Sequence, residues 1–117
     1  MSERIAIKLV RQFIDALNAR DGERVSLLVT DDVAHDHAGK REIGTDALRA
    51  FFANHANKSG ETLSDAVILT DQGGGRAAVE FTRRGRDAGG ASYSNAGGWF
   101  FEIDDGRISR ITDYSAG

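Results

Sequence analysis

Residues 99–114 read WFFEIDDGRISRITDY, and this stretch decides the fold. It reads as two strands joined by a turn at Asp104, Asp105 and Gly106. Aspartate before glycine is a strong hairpin signal, because glycine supplies the positive φ that such a turn requires. The flanking strands hold the densest aromatic run in the chain. Register then sets which side chains share a face. A two-residue turn would put Arg110 beside Trp99, Phe101 and Ile103. A three-residue turn with Gly106 as a bulge pairs Ile103 with Arg107, Phe101 with Ser109 and Trp99 with Ile111. The second reading is preferred, since it keeps charge off the apolar face apart from the Asp113 carboxylate. It gathers Trp99, Phe101, Ile103, Ile111 and Asp113 on one face. Phe100, Glu102, Arg110 and Tyr114 fall on the other.

Upstream of the hairpin the period is also two. Residues 62–70 read as a strand, and Asp71-Gln72-Gly73-Gly74-Gly75 turns the chain. Residues 76–84 return, with Ala77, Val79 and Phe81 alternating against Ala78, Glu80 and Thr82. Residues 91–103 form a long strand, weakened or bulged at Gly97-Gly98. The last strand runs from 108 to about 115. The triple glycine lies between strands, with no helix start or Lys-Ser/Thr pair after it, so it is a turn and not a phosphate loop.

The first half of the chain is helical. Ser2 caps a helix over residues 3–19, with Ile5, Leu9, Phe13 and Leu17 on one stripe. Arg20-Asp21-Gly22 ends it, and a short second helix over 23–29 turns Val25 and Leu28 inward. Residues 33–37 are a candidate short strand, followed by a turn at Ala38-Gly39-Lys40. Thr45 caps a third helix that brings Leu48, Phe51, Phe52 and His55 close to one face. Helices first and a meander of strands afterwards give an α+β domain. If the sheet curls, the gap beneath the helices becomes a cone-shaped pocket.

Composition narrows the partners. The 117 residues fit one domain over 1–117, 40% apolar and 28% charged. Absence of cysteine removes disulfide and thiolate chemistry and suits a cytoplasmic setting. No apolar run reaches the length of a membrane span, and no signal peptide is visible. A net charge of −3 without a Lys/Arg stripe argues against nucleic acid.

Three segments, FIDALNARDGERVSLLVTDDV, HDHAGKREIGTDALRAFF and WFFEIDDGRISRITDY, resemble the nuclear transport factor 2-like superfamily. That superfamily includes the SnoaL-like polyketide cyclases and ketosteroid isomerase, and the second segment is most similar to bacterial ketosteroid isomerase-related proteins. The resemblance implies a cystatin-like cone, in which three N-terminal helices pack on a curved antiparallel sheet and enclose a pocket. It also implies a small, mostly apolar ligand and a homodimer through the outer sheet face, where Phe100, Ile108 and Tyr114 fall. It does not imply one reaction, since the fold hosts isomerases, dehydratases, cyclases, epoxide hydrolases and non-catalytic binders.

Ketosteroid isomerase places its carboxylate base just after an acidic pair, and Asp36 matches that position with a one-residue difference in spacing. The oxyanion tyrosine falls on Phe13 and the second oxyanion acid near Trp99. An enolate here would lack those donors. Asp113 is a second acid facing the cone, or else a strand-end acid that is solvated or paired with an arginine. Two carboxylates in an apolar cone would drive their pKa values apart, which suits proton transfer, dehydration or activation of water. No arginine is clearly inward, so the aspartate-arginine-aspartate set of the family epoxide hydrolases lacks its centre.

His35 and His37 share one strand face and Asp36 the other. Either Asp36 faces the cone, or the histidines do and zinc or a proton relay becomes thinkable. No third ligand is evident, so no metal and no cofactor are expected. His55 either looks into the cone or meets the last carbonyls of its helix. Phe13, Phe51, Trp99 and Phe101 are candidate wall residues, with Tyr93 and Asn95 as polar candidates. Two functions fit these residues. One is acid/base catalysis on a small carbonyl or hydroxy compound by Asp36 and Asp113. The other is a non-catalytic binding or dimerisation module.

Overall fold

The computed structural model describes residues 2–114, with the side chains of residues 55–59 outside that set. Three helices come first: α1 (Glu3–Asn18), α2 (Gly22–Leu28) and α3 (Thr45–Ser59). Six strands make one sheet: β1 (Val29–His37), β2 (Lys40–Ile43), β3 (Thr62–Thr70), β4 (Arg76–Arg86), β5 (Ser92–Asp104) and β6 (Arg107–Asp113). Their order is β2-β1-β6-β5-β4-β3. The sheet is curved and unclosed, and the helices fill its concave side. Neighbours run antiparallel except β1 and β6, which are parallel and separated in the chain by β2, α3, β3, β4 and β5.

Helix α1 starts at Ser2, whose hydroxyl accepts from the Ile5 N–H at 3.2 Å. It buries Ala6, Leu9, Val10, Phe13 and Ile14, the expected stripe. Arg20 takes a left-handed φ of 58°, and Asp21 then caps α2 by accepting from the Arg24 N–H at 3.1 Å. Asn18 ties α1 to β3, its amide bonding both the N–H and the C=O of Leu63 at 2.8 and 2.9 Å. The expected cap at Thr45 is not made: its hydroxyl donates to the Thr30 carbonyl of β1 instead.

The closing hairpin differs from the preferred register. Asp104 pairs with Arg107, so the turn holds two residues, Asp105 at φ 49° and Gly106 at φ 76°. The extra residue enters later, at Ser109, between the pairs Ile103–Ile108 and Glu102–Arg110. Phe101 therefore faces Ile111, and Trp99 faces Asp113. The bulge restores the expected inner set from Ile111 onward, since it adds one residue as the longer turn would have done. Before the bulge the parity is reversed, and Ile108, expected on the outer face, is fully buried. The expected irregularity at Gly97-Gly98 is absent: β4 and β5 pair without a break from Arg76–Glu102 to Arg86–Ser92.

Phe13, Leu48, Phe81, Phe101, Ile108 and Ile111 are buried between helices and sheet. Phe13 meets Phe52, Trp99 and Phe101 edge-on at 5.9, 6.0 and 5.9 Å. This aromatic block fills the narrow end of the cone. Toward α2 and the ends of β3–β5 the layers part, and a cavity remains.

Candidate functional site

The cavity has a volume of about 570 Å³. Its apolar wall comes from Leu17, Val25, Phe51, Phe52, Leu63 and Trp99. Its polar wall comes from the sheet in His35, Arg83 and Asp113, from the loop before β3 in Glu61, and from the helical side in Asn18, Arg20, Asp21 and Arg49. A mostly apolar hollow with a few convergent polar groups is the usual form of a small-molecule site.

Strand alternation places these groups. On β4 the inward series Ala77, Val79, Phe81 continues to Arg83. The Arg83 guanidinium sits 5.2 Å from the centre of the Phe81 ring and 6.0 Å from that of Trp99. Its Nη2 lies 3.5 Å from Asp113 Oδ2, and its Nε lies 3.7 Å from Glu61 Oε1. Tyr93 donates its hydroxyl to Glu61 Oε2 at 2.6 Å. An acid–arginine–acid bridge thus crosses the cone. The expectation that no arginine points inward is corrected, and the signal for it was the continuing period of β4.

On β1 the same alternation turns Val33 and His35 inward, with His37 on the same face, and Asp36 outward. Asp36 as a pocket base is therefore corrected as well. Its carboxylate makes a bidentate pair with Arg41 on β2 at 2.6 and 2.8 Å, and lies 3.6 Å from Arg110. The Arg41 hydrogen bonds, with Arg110 behind them, hold its carboxyl below the ordinary value. Arg110 also bonds Glu102 at 3.1 Å, so this cluster belongs to the outer face.

His35 is 2% exposed. Its ring stacks on His37 at 4.4 Å and meets Phe51 at 4.6 Å and Phe52 at 5.7 Å. Burial, with His37 adding to it, lowers its pKa to about 4, so the imidazole is neutral near pH 7. Its Nδ1 has no hydrogen-bond partner among the described residues. Glu42 lies directly across from His35 in the β1–β2 register and bonds His37 Nε2 at 2.6 Å. The missing third ligand of the sequence reading is therefore supplied by the neighbouring strand.

The remaining sequence candidates divide. Phe51 and Trp99 line the cavity. Phe13 and Phe101 are fully buried core residues that do not reach it. Tyr93 supports Glu61 from outside the wall, and Asn95 is exposed on β5. His55 lies outside the described residues in its side chain. Asp113 is the one candidate acid that the fold brings to the cavity.

The site can be set beside known proteins. The chain superposes on a candidate polyketide cyclase from Xanthomonas campestris with a TM-score of 0.93, at 32% identity over 99% of this chain and 93% of that one. A candidate polyketide cyclase from Pseudomonas putida matches with a TM-score of 0.88 and 34% identity, covering 99% and 92%. A candidate ketosteroid isomerase from Kribbella flavida matches with a TM-score of 0.83 and 26% identity, covering 97% and 79%. No curated protein matches the sequence. Residues 10–111 carry the pattern of the SnoaL-like domain. With that pattern on a six-stranded cone under three helices, the chain belongs to the SnoaL-like family of the nuclear transport factor 2-like superfamily.

Proposed function

We propose that the cone binds one small, mostly apolar molecule bearing a carbonyl or hydroxyl oxygen, and that Asp113 transfers a proton on it without a cofactor. The observation that carries this reading is Arg83, bridging Asp113 and Glu61 on the wall of the cavity beside Phe81 and Trp99. A mostly buried arginine between two acids offsets the cost of placing those charges beside apolar side chains. Asp113 then serves as base toward a C–H beside a carbonyl, or toward a water. Arg83 offers positive charge to the oxygen on which negative charge develops, the role the absent tyrosine and second acid would fill. The candidate polyketide cyclases at 32% and 34% identity support a carbonyl-bearing substrate.

The test is a thermal-shift screen of hydrophobic ketones, lactones and epoxides, followed by turnover of each hit. A ligand that binds the folded state raises its melting temperature by mass action. Asp113→Asn is expected to bind the hits and lose turnover. Full turnover in that variant would leave the non-catalytic binding module as the reading.

Dimerisation through the outer face forms part of the same proposal. Val67, Leu69 and Tyr114 are 56, 68 and 70% exposed and line one shallow apolar depression with Phe100. A second copy of the chain would cover it. Sedimentation of a monomer at tens of micromolar would remove this part.

A further inference from the structure

The proton chemistry at Asp113 leaves a second group of donors unused. His35 and His37 stand two apart on β1, so the pleat aims both imidazoles to one side. The turn at Ala38 and Gly39, with φ of 49° and 75°, sets β2 in register so that Glu42 opposes His35. The backbone delivers all three donors to one place. We propose that His35, His37 and Glu42 bind a divalent transition metal of the zinc class at the edge of the cavity.

One ligand atom from each residue lies within 4.8 Å of the others. Tetrahedral zinc with bonds of about 2.0–2.2 Å holds its donors ~3.3 Å apart. The donors must draw together by up to about 1.5 Å to reach that spacing. Two histidines and a glutamate are a donor set of catalytic zinc sites, which keep a further position open for water or substrate. Of the three residues, His35 also lines the cavity.

One feature of His35 points to a ligand. Its Nδ1 is buried without a hydrogen-bond partner among the described residues, and buried polar atoms are ordinarily satisfied. Phe51 and Phe52 close over the imidazoles and form the apolar shell that limits solvent at such sites. The competing explanation is local: His37 and Glu42 satisfy each other at 2.6 Å and need no metal. The metal site does not rest on the role of Asp113, and it can be tested without a substrate.

The experiment is titration of the full chain, stripped with chelator, with zinc in a calorimeter and with cobalt(II) in a spectrophotometer. The expected result is one equivalent bound with micromolar or tighter affinity, and cobalt absorption bands of a four- or five-coordinate ion with nitrogen ligands. Glu42→Gln keeps the size of the half-exposed side chain and should weaken zinc at least tenfold while the metal-free melting temperature holds. His37→Ala should do the same. Binding that survives both Glu42→Gln and His37→Ala overturns the proposal, as does the absence of saturable binding at hundreds of micromolar zinc. Either result would leave His37 and Glu42 as a hydrogen-bonded pair and His35 as a buried wall residue.

Discussion

Arg83→Met should cost about 2 kcal/mol of stability at pH 7, and the figure follows from burial and distance. The side chains of Arg83, Glu61 and Asp113 are 17, 13 and 21% exposed. A charge pair near 4 Å in a surrounding of effective dielectric about 20 attracts by roughly 4 kcal/mol before desolvation is counted. Breaking a fully buried pair costs about 3–5 kcal/mol, and an exposed one about 0.2–1. Arg83 holds two acids, each mostly buried, but at 3.5 and 3.7 Å, which is long for a hydrogen bond. A loss midway between the two classes results. Methionine keeps an apolar stem over Phe81 and Trp99, so the loss reports charge more than packing. Urea unfolding reads it as a midpoint lower by about 1 M, and a thermal scan as a melting temperature lower by roughly 8 °C. The decisive measurement is the double-mutant cycle. In the Asp113→Asn background, Arg83→Met should cost about 1 kcal/mol less, because one of its two partners has lost its charge. A single variant as stable as the wild type, or the same cost in both backgrounds, would refute the bridge as the organiser of the cavity.

Other perturbations separate strain, core and surface. Gly74 sits at φ 71°, where an added Cβ would collide with the Ser2 carbonyl. Gly74→Ala should therefore lose about 1–3 kcal/mol, whereas Gly73→Ala, with open space around it, should be neutral or slightly stabilising in the same denaturation assay. Phe13→Tyr would place a hydroxyl among the rings of Phe52, Trp99 and Phe101, so it should cost about 1–3 kcal/mol and leave turnover of any substrate unimproved. Arg110 lowers the carboxyl pKa of Glu102 and adds to the larger lowering by Arg41 at Asp36. Acids with lowered folded-state pKa stabilise above the ordinary carboxylate range and lose that contribution as pH falls through it. Arg110→Ala should thus cost up to about 1 kcal/mol at pH 7, discounted for partial exposure, with the gap to wild type narrowing toward about pH 3 in denaturant titrations.

The sequence carried the layers of this fold and half of its chemistry, and the division has a physical cause. Period alone places side chains on faces, so the α1 stripe, the β4 alternation and the inward Asp113 were legible. Period also contained Arg83, because the series Ala77, Val79, Phe81 continues by two to it. Charge argued against reading it inward, since an isolated buried guanidinium is costly. The cost is offset by Asp113, from a strand two places away in the sheet, and by Glu61, from a loop. Neither partner has a sequence spacing that marks it. The strand β1 illustrates the reverse. Alternation required His35 and Asp36 to face opposite ways, but it could not say which faced in. Desolvation decides that question: a neutral imidazole tolerates burial among Phe51 and Phe52, while a carboxylate does not without a cation beside it. Asp36 accordingly lies outward against Arg41, the residue that the same tight turn places opposite it. That turn, written in the sequence as Ala38-Gly39, fixes two facts together. It removes Asp36 from the cone, and it brings Glu42 to the histidines. A substitution at Gly39, where φ is 75° and only the backbone is at stake, should therefore disturb the His37–Glu42 contact and the Asp36–Arg41 pair at once, although it touches neither.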